Sequence, residues 1–315
     1  MLYYSPQAMK PIKVAVIGVG HLGTIHARIY SQLESAQLVA VCDILPDRAQ
    51  ALAHQHGCQA VHDFRDLLPL VQAVSIAVPT QAHFPIAKAF LSKGIHTLVE
   101  KPITRTVQEA DRLLSLAEKT STLLQVGHVE RFNSALRQVV TWLKDPRFIE
   151  VHRLAPFQPR GTEVGVVLDL MIHDIDILLG LVKSPLRRLE AVGVKVLTPF
   201  EDIANARLTF KNGAVANLTA SRISKEAIRK FRIFQSDAYV SMDFLAQSVE
   251  LFRHQNGQIS HEALAIPKEE PLKAELAAFI EAVQHRRAPP VSGREARDAL
   301  AVALKVTRLI HRNHP

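Results

Sequence analysis

The residues most able to do chemistry fall in three places. Gly18-Val19-Gly20-His21-Leu22-Gly23 is a G-x-G-x-x-G placed directly after the apolar run Ile12–Ile17. In that setting the first glycine permits a tight turn, the second lets a pyrophosphate approach the backbone, and the third allows close helix–strand packing. The phosphates would then lie at the helix start formed by His21 and Leu22, where free N–H groups and the dipole favour negative charge. A second strand-like run ends in Asp43, about 20 residues on, where a carboxylate can accept hydrogen bonds from ribose hydroxyls and repel a 2′-phosphate. The expected ligand is NAD rather than NADP. The bland alternative is a glycine-rich turn with a capping aspartate.

Val99-Glu100-Lys101-Pro102 ends another strand-like run. In doubly wound sheets ligands bind beyond the carboxyl ends of the strands, so Lys101 is expected to point into the cofactor cleft, with Pro102 fixing the local geometry. Taken alone, a lysine before a proline reads more simply as a solvated turn. Farther along, Asp169, His173 and Asp176 stand at i, i+4 and i+7, hence on one helix face. A histidine between carboxylates at that spacing suits a general base held in one tautomer. The same stripe, beside Leu168, Ile172, Ile175 and Leu179, also suits an ordinary amphipathic surface helix. No fourth ligand is visible for a metal, so none is expected. His54, His56 and His62 read as exposed polar residues.

These residues need elements to position them. From Ile12 to about 145, short runs alternate with helical stretches. Ile12–Ile17, Leu38–Cys42, Ala73–Val78, His96–Val99 and Leu123–Val126 read as buried strands. Leu22–Leu33, Pro46–His56, Ala82–Lys93 and Val107–Lys119 read as helices. Such alternation implies right-handed crossovers and a parallel sheet covered on both faces, an α/β class. Residues 1–10 read as a loose extension, and Lys144-Asp145-Pro146-Arg147 as a boundary. The expected division is 11–147, a dinucleotide-binding domain, and 148–315, a substrate and oligomerisation domain whose closing helices can pack back on the first.

After 147 the rhythm changes. A strand at Ile149–Ala155, a loop with Pro156, Pro159 and Gly161, and a helix around Gly165–Leu179 precede a series of strands. These are Leu189–Leu197, Asn205–Phe210, Ala214–Ser221, Ala227–Gln235, Ala238–Met242 and Ser248–Arg253, with Asn212-Gly213 and Asn256-Gly257 as hairpin signals. Ala206, Leu208 and Phe210 alternate with Asn205, Arg207 and Thr209, as in an antiparallel sheet with one buried face. Helices near Leu272–His285 and Arg294–Arg312 close an α+β domain.

Composition narrows the classes. The chain has 315 residues, 48% hydrophobic and 22% charged, which excludes whole-chain disorder. No apolar run reaches the roughly 18–20 residues of a membrane span, and Met1–Lys10 lacks a signal-peptide core. Only Cys42 and Cys58 are present, too few for a disulfide framework, so a reducing, cytoplasmic location is expected. The formal charge of +8 raises nucleic acid as a partner. The basic residues are dispersed, though, and Arg229-Lys230-x-Arg232 and Arg286-Arg287 are short and lack interleaved aromatics; a phosphorylated small molecule explains the sign equally well, and charge alone settles nothing.

In order along the chain, Gly18–Gly23, Glu100-Lys101-Pro102 and the D-x-x-x-H-x-x-D of Asp169, His173 and Asp176 resemble the glucose–fructose oxidoreductase/inositol dehydrogenase/rhizopine catabolism (Gfo/Idh/MocA) family, over about residues 11–312. The resemblance implies a Rossmann domain followed by an α+β domain with a large open-faced, mainly antiparallel sheet. It also implies NAD(P)-linked oxidation at a sugar or polyol carbon, and homo-oligomers (dimer or tetramer) packed through that sheet. Within the family, Val126-Gly127-His128-Val129-Glu130-Arg131-Phe132-Asn133 and Leu170–Asp176 look most like bacterial members that oxidise the C3 hydroxyl of UDP-N-acetylglucosamine, feeding a 3-aminotransferase in diamino-sugar lipid A synthesis.

On that likeness, His173 aided by Lys101 takes the C3 hydroxyl proton, Lys101 stabilises alkoxide character, and Asp169 orients the base or binds a neighbouring hydroxyl. Pro79, Thr80, His83 and Glu100 line the nicotinamide side, and Asn133 joins the substrate contacts. Arg131 and Arg160 are candidates for the UDP phosphates, and equally for ordinary surface arginines. Glu163-Val164-Gly165 departs from the paired glycines that many relatives carry before the helix. A free sugar or inositol as substrate, NAD-dependent glycoside hydrolysis and non-catalytic dinucleotide sensing are the alternatives.

Overall fold

The computed structural model describes residues 10–159, 161–255 and 258–313; the leading extension through residue 9, Arg160 and the Asn256-Gly257 turn lie outside them. β1 (Ile12–Ile17) is β-branched at most positions, and Val14, Ala15 and Val16 are wholly buried, as in a strand covered on both faces. It joins β2 (Ala36–Cys42), β3 (Gln59–Val61), β4 (Ala73–Ile76), β5 (His96–Glu100) and β6 (Leu124–Gly127) in the order β3-β2-β1-β4-β5-β6. Every pairing in this sheet is parallel. Helices α1 (His21–Gln32), α2 (Pro46–His56), α3 (Thr80–Leu91) and α4 (Val107–Thr120) supply the crossovers. The strand order reverses between β1 and β4, so a ligand crevice is expected outside their carboxyl ends. Gly18 follows the one, and Val78-Pro79 the other.

The chain divides into two compact units. The first runs to Gly127 and takes in Leu272–Arg294; the second holds His128–Pro271 and the chain from Glu295 onward. α7 (Pro271–His285) contributes Leu276, Phe279, Ile280 and Val283 to the first core, beside Val14, Val16 and Ile29. The observed division precedes the polar loop at 144–147 for a physical reason. Ala135, Leu136 and Val139 of α5 (Ser134–Val140) are buried in the second core, so the chain has already changed units by then.

The second unit is built on eight strands: β7 (Phe148–Leu154), β8 (Leu186–Val194), β9 (Ile203–Phe210), β10 (Val215–Ser221), β11 (Ile228–Phe234), β12 (Ala238–Asp243), β13 (Ser248–Gln255) and β14 (Gln258–Leu264). Their order is β14-β13-β12-β11-β7-β10-β9-β8. β7 and β10 run parallel, and the other neighbours are antiparallel. β9 alternates as its sequence requires: Ala204, Ala206, Leu208 and Phe210 are buried while Asn205 and Arg207 are exposed. Against the buried face pack Ile172, Ile175 and Leu178 of α6 (Ile172–Val182) and Ala299, Ala303, Val306 and Ile310 of α8 (Gly293–Asn313). The helix expected over Gly165–Leu179 opens with a π-helical turn, Val167–Met171, before continuing as α6. Wide turns of this kind recur at functional sites, and this one carries Asp169.

Candidate functional site

The glycine-rich loop is a cradle with its donors unspent. Gly20 is the N-cap of α1 and has no side chain to satisfy the first-turn N–H groups, which therefore remain available to an anion. A Cβ at Gly20 would meet nothing within 4 Å, so the backbone here borders open space. Gly18 has φ +84°, and a Cβ on Gly23 would stand 1.7 Å from the Gly18 carbonyl oxygen, so a side chain at Gly23 would force the loop off the helix. A cleft of ≈ 570 Å³ beside the loop is lined by Gly20, His21, Thr24, Arg48 and Gln55, among others.

Asp43 serves both readings of it. Its carboxylate accepts the N–H of Val19 at 2.8 Å and that of Leu45 at 2.9 Å, fixing the loop. Each oxygen keeps a further lone pair for a ribose hydroxyl. Loop, helix start, cleft and carboxylate together fit a dinucleotide.

Beyond the sheet's carboxyl ends, Pro79 caps α3 and Thr80 opens it. Lys101 is half-buried, joined to Pro102 by a cis peptide bond, and its N–H donates to Glu100 Oε2 at 3.3 Å. His83 and Glu100, expected to line the nicotinamide side, both make internal contacts. His83 is fully buried, with Nδ1 2.9 Å from the Pro102 carbonyl and Nε2 2.8 Å from that of Val78. It ties the chain after β4 to the chain after β5, and its burial pushes its pKa below the ordinary histidine value although both carbonyls favour a second proton.

Glu100 is 7% exposed, and its Oε1 lies 3.2 Å from His26 Nε2, while His26 Nδ1 is 2.7 Å from Ser75 Oγ. Burial works against the charge on Glu100, but the His26 hydrogen bond and charge, with Lys101 beside it, hold the carboxyl below its usual range. A Cβ on Gly127 would stand 2.8 Å from the same carboxylate, which explains the glycine at the end of β6. Nothing in the spacing of His26, Ser75 and Gly127 announces this cluster. It exists only once the parallel sheet brings α1, β4, β5 and β6 together.

In the second unit, α6 is buried on nearly every side rather than lying on a surface. His173 is 9% exposed, and its ring meets that of His128 edge to face, with centroids 5.8 Å apart. His128 Nδ1 is in turn 3.9 Å from Asp176 Oδ2. Asp169 is partly exposed, the backbone of Gly161 packs on its carboxylate, and Arg222 Nη2 lies 3.9 Å away. Arg222 also donates to the carbonyls of Gly161 and Val164, at 3.1 and 2.8 Å, and so holds the loop that leads into the π-helical turn. Its place in the sequence, at the end of β10, carries no motif. Gly165, the glycine kept in Glu163-Val164-Gly165, packs on the buried carboxylate of Glu201, which a Cβ would approach to 2.0 Å.

Two expected substrate contacts have partners within the second unit. Arg131 donates to Asp176 through Nε and Nη2, at 2.7 and 2.9 Å, and to Glu295 through Nη1 at 3.0 Å. Its guanidinium is thus part of an internal ion pair. Asn133 is 2% exposed; its Oδ1 caps α5 by accepting the Ala135 N–H and its Nδ2 donates to the Phe244 carbonyl. On the other side of α6, Asp174 receives Arg153, which also reaches Glu130 at 2.7 Å. Burial pushes the Asp174 carboxyl up against the pull of Arg153. Among the described residues no group of three or more His, Cys, Asp or Glu side chains is gathered as a metal site, and no helix is long and apolar enough to cross a membrane.

Residues 12–128 match the model of an oxidoreductase family with an NAD-binding Rossmann fold, and residues 135–241 that of the Gfo/Idh/MocA C-terminal domain. The chain is similar to the UDP-N-acetylglucosamine 3-dehydrogenase of Acidithiobacillus ferrooxidans, 38% identical over 302 residues, covering 94% of this chain and 96% of that one. A solved structure of that enzyme matches with a TM-score of 0.92 over 96% of this chain and 99% of its own. The myo-inositol 2-dehydrogenase of Thermotoga maritima is 25% identical over 312 residues, 92% of this chain and 93% of that one.

Proposed function

The chain belongs to the NAD-binding Gfo/Idh/MocA oxidoreductase family, and from that premise we propose that it oxidises the C3 hydroxyl of a UDP-N-acetyl-hexosamine, UDP-N-acetylglucosamine foremost, to the 3-keto sugar nucleotide. The observation that carries the substrate is the 38% identity to the Acidithiobacillus ferrooxidans enzyme along 94% of the chain. NAD, when bound, supplies the hydride acceptor. Gly18, Gly20, His21, Leu22 and Gly23 hold its pyrophosphate and Asp43 its adenosine ribose, with Pro79, Thr80 and Lys101 at the reactive end.

His173 takes the hydroxyl proton as general base, a role worth roughly 10²–10⁴-fold in rate. Lys101 Nζ stabilises negative charge as it develops on that oxygen. Asp169, held by Gly161 and Arg222, receives a neighbouring hydroxyl. Arg131 serves the internal pairing of the second unit rather than the phosphates.

The product is a substrate for a 3-aminotransferase, consistent with diamino-sugar lipid A synthesis in the cytoplasm. The enzyme works as a homo-oligomer packed through the outer face of the eight-stranded sheet. There Phe148, Phe234, Tyr239, Phe252 and His261 form an aromatic ladder with successive ring centroids 5.7, 4.5, 5.2 and 4.4 Å apart. Likeness to a myo-inositol 2-dehydrogenase supports a second reading, oxidation of a free polyol.

The test is to supply the purified protein with NAD and, separately, UDP-N-acetylglucosamine, N-acetylglucosamine and myo-inositol, following NADH absorbance and identifying products by NMR. NADH formed in step with a 3-keto sugar nucleotide is the expected result. Higher kcat/KM on inositol would transfer the function to the second reading. Release of UDP without NADH would mean hydrolysis, and no reaction with any of them would leave the sensor reading.

A further inference from the structure

A sugar nucleotide brings a diphosphate to whatever holds its sugar, and the planar fork of an arginine matches phosphate oxygens two at a time. Arg131 is bound instead to Asp176 and Glu295. Arg153 and Arg222 also reach α6 or the π-helical turn before it, and both are buried and committed. Arg153 is closed on Asp174 and Glu130, while Arg222 holds the carbonyls of Gly161 and Val164.

Arg229 differs. It is the second residue of β11 and pairs with Arg153 across the antiparallel ladder to β7. Side chains alternate along a strand, so Arg229 shares the face of Phe231 and Ile233, which lie in the core beneath α6 and α8. At the end of that row the cover stops, and the Arg229 side chain is 44% exposed. Its Nη1 lies 3.2 Å from Glu130 Oε1, the same oxygen that takes Arg153 Nη1 at 2.7 Å. Among the described residues, Nε and Nη2, which form the other edge of the fork, have no partner. One carboxylate aims the guanidinium, a strand between two others carries it, and one bidentate edge is left for an anion.

Both of its connections lead toward the base. Arg153, its neighbour in register, holds Asp174, the residue after His173. Glu130 belongs to the segment that follows His128, whose ring meets that of His173. In a UDP-N-acetyl-hexosamine the diphosphate hangs on C1, across one pyranose ring from the C3 hydroxyl. A phosphate contact therefore belongs beside the base rather than on it.

We infer that Arg229 is the diphosphate contact of the second unit, and so a residue that favours a sugar nucleotide over a free polyol. This rests on the reading of the substrate as a UDP-N-acetyl-hexosamine. Glu130 keeps Arg153 when Arg229 is replaced, so no buried carboxylate is stranded by the substitution.

The test is calorimetric titration of the purified full-length protein with UDP in the presence of NAD, beside steady-state kinetics on UDP-N-acetylglucosamine. In Arg229→Gln the affinity for UDP falls by roughly 10–100-fold, as the loss of a charged hydrogen bond gives. KM for the sugar nucleotide rises in step while kcat changes little. Arg229→Lys, which keeps the charge and loses the fork, falls between. Lys230→Gln, one residue on and on the opposite face of the sheet, binds UDP as wild type does and controls for net charge. Wild-type UDP affinity in a folded Arg229→Gln, with sugar-nucleotide oxidation intact, would overturn the inference alone, and so would an equal loss in Lys230→Gln. Should the glutamine variant fail to fold, the lysine variant carries the test, and an affinity unchanged there would overturn the inference. A wild-type protein that neither binds UDP nor oxidises UDP-N-acetylglucosamine would remove the substrate reading, and the inference with it.

Discussion

His26 and Glu100 meet inside the first unit, Nε2 to Oε1, at 3.2 Å. The contact joins α1, whose start is the glycine-rich loop, to the strand end that presents Lys101. His26→Ala would leave a buried carboxylate without its partner, a loss worth about 1–3 kcal/mol where a buried polar group is left unsatisfied. Urea unfolding should report a drop of that order, and calorimetry a weaker affinity for NAD. A drop under about 1 kcal/mol is what a solvent-exposed pair gives, and would show that the two side chains do not act together.

The same pair sets a pH dependence. Burial opposes the Glu100 charge, yet His26 and Lys101 hold its folded pKa below the ordinary carboxyl range. A depressed carboxyl contributes its full stability above the unfolded pKa and loses it as pH falls through the folded one. Wild-type stability should therefore carry an acid-side decline that is shallower in Glu100→Gln. Parallel curves for the two proteins from neutral pH into the acid range would contradict the assignment.

Arg131 offers a clean separation of two roles. If its work is to compensate Asp176, Arg131→Met should cost about 3–5 kcal/mol of stability, and Arg131→Met with Asp176→Leu should regain most of it. Affinity for UDP should then change little in the double variant. Stable single variants with UDP binding abolished would return Arg131 to the phosphates.

Asp43 holds the loop through the Val19 N–H and faces the ribose with what remains. Asp43→Ala removes a charged acceptor, and a charged hydrogen bond is worth about 1.5–3 kcal/mol, so KM for NAD should rise by about 10–100-fold. KM for NADP should rise less, because the repulsion of a 2′-phosphate goes with the carboxylate. An unchanged ratio between the two cofactors would confine Asp43 to capping.

Much of this molecule was legible before folding, and what was not has physical causes. β1, β2, β4, β5 and β6 declared themselves as apolar runs because both their faces are covered. β3 did not, since Gln59–Val61 is three residues at a sheet edge. β14 also escaped, because QISHEAL on an edge strand has no buried face to impose alternation; five of its seven residues are polar or small and six are exposed. The helix that carries Asp169, His173 and Asp176 was visible from their spacing. What that spacing could not convey was its environment: Asp176 looks toward Arg131 and His128, both in another segment. Asn133 has a local role that the neighbouring motif did not announce: its place immediately before a helix makes it a cap.

The proposal turns on one bond, the C3–H of the sugar, and isotopic labelling addresses that bond directly. The purified protein should be given NAD and UDP-N-acetylglucosamine deuterated at C3, with the reduced cofactor analysed by mass spectrometry and the rate compared with unlabelled substrate. Reduced cofactor heavier by one deuterium, formed at a rate lowered roughly 10²–10⁴-fold in His173→Ala while NAD still binds, is the predicted result. Unlabelled NADH, or labelled NADH formed as fast by His173→Ala as by wild type, would contradict it.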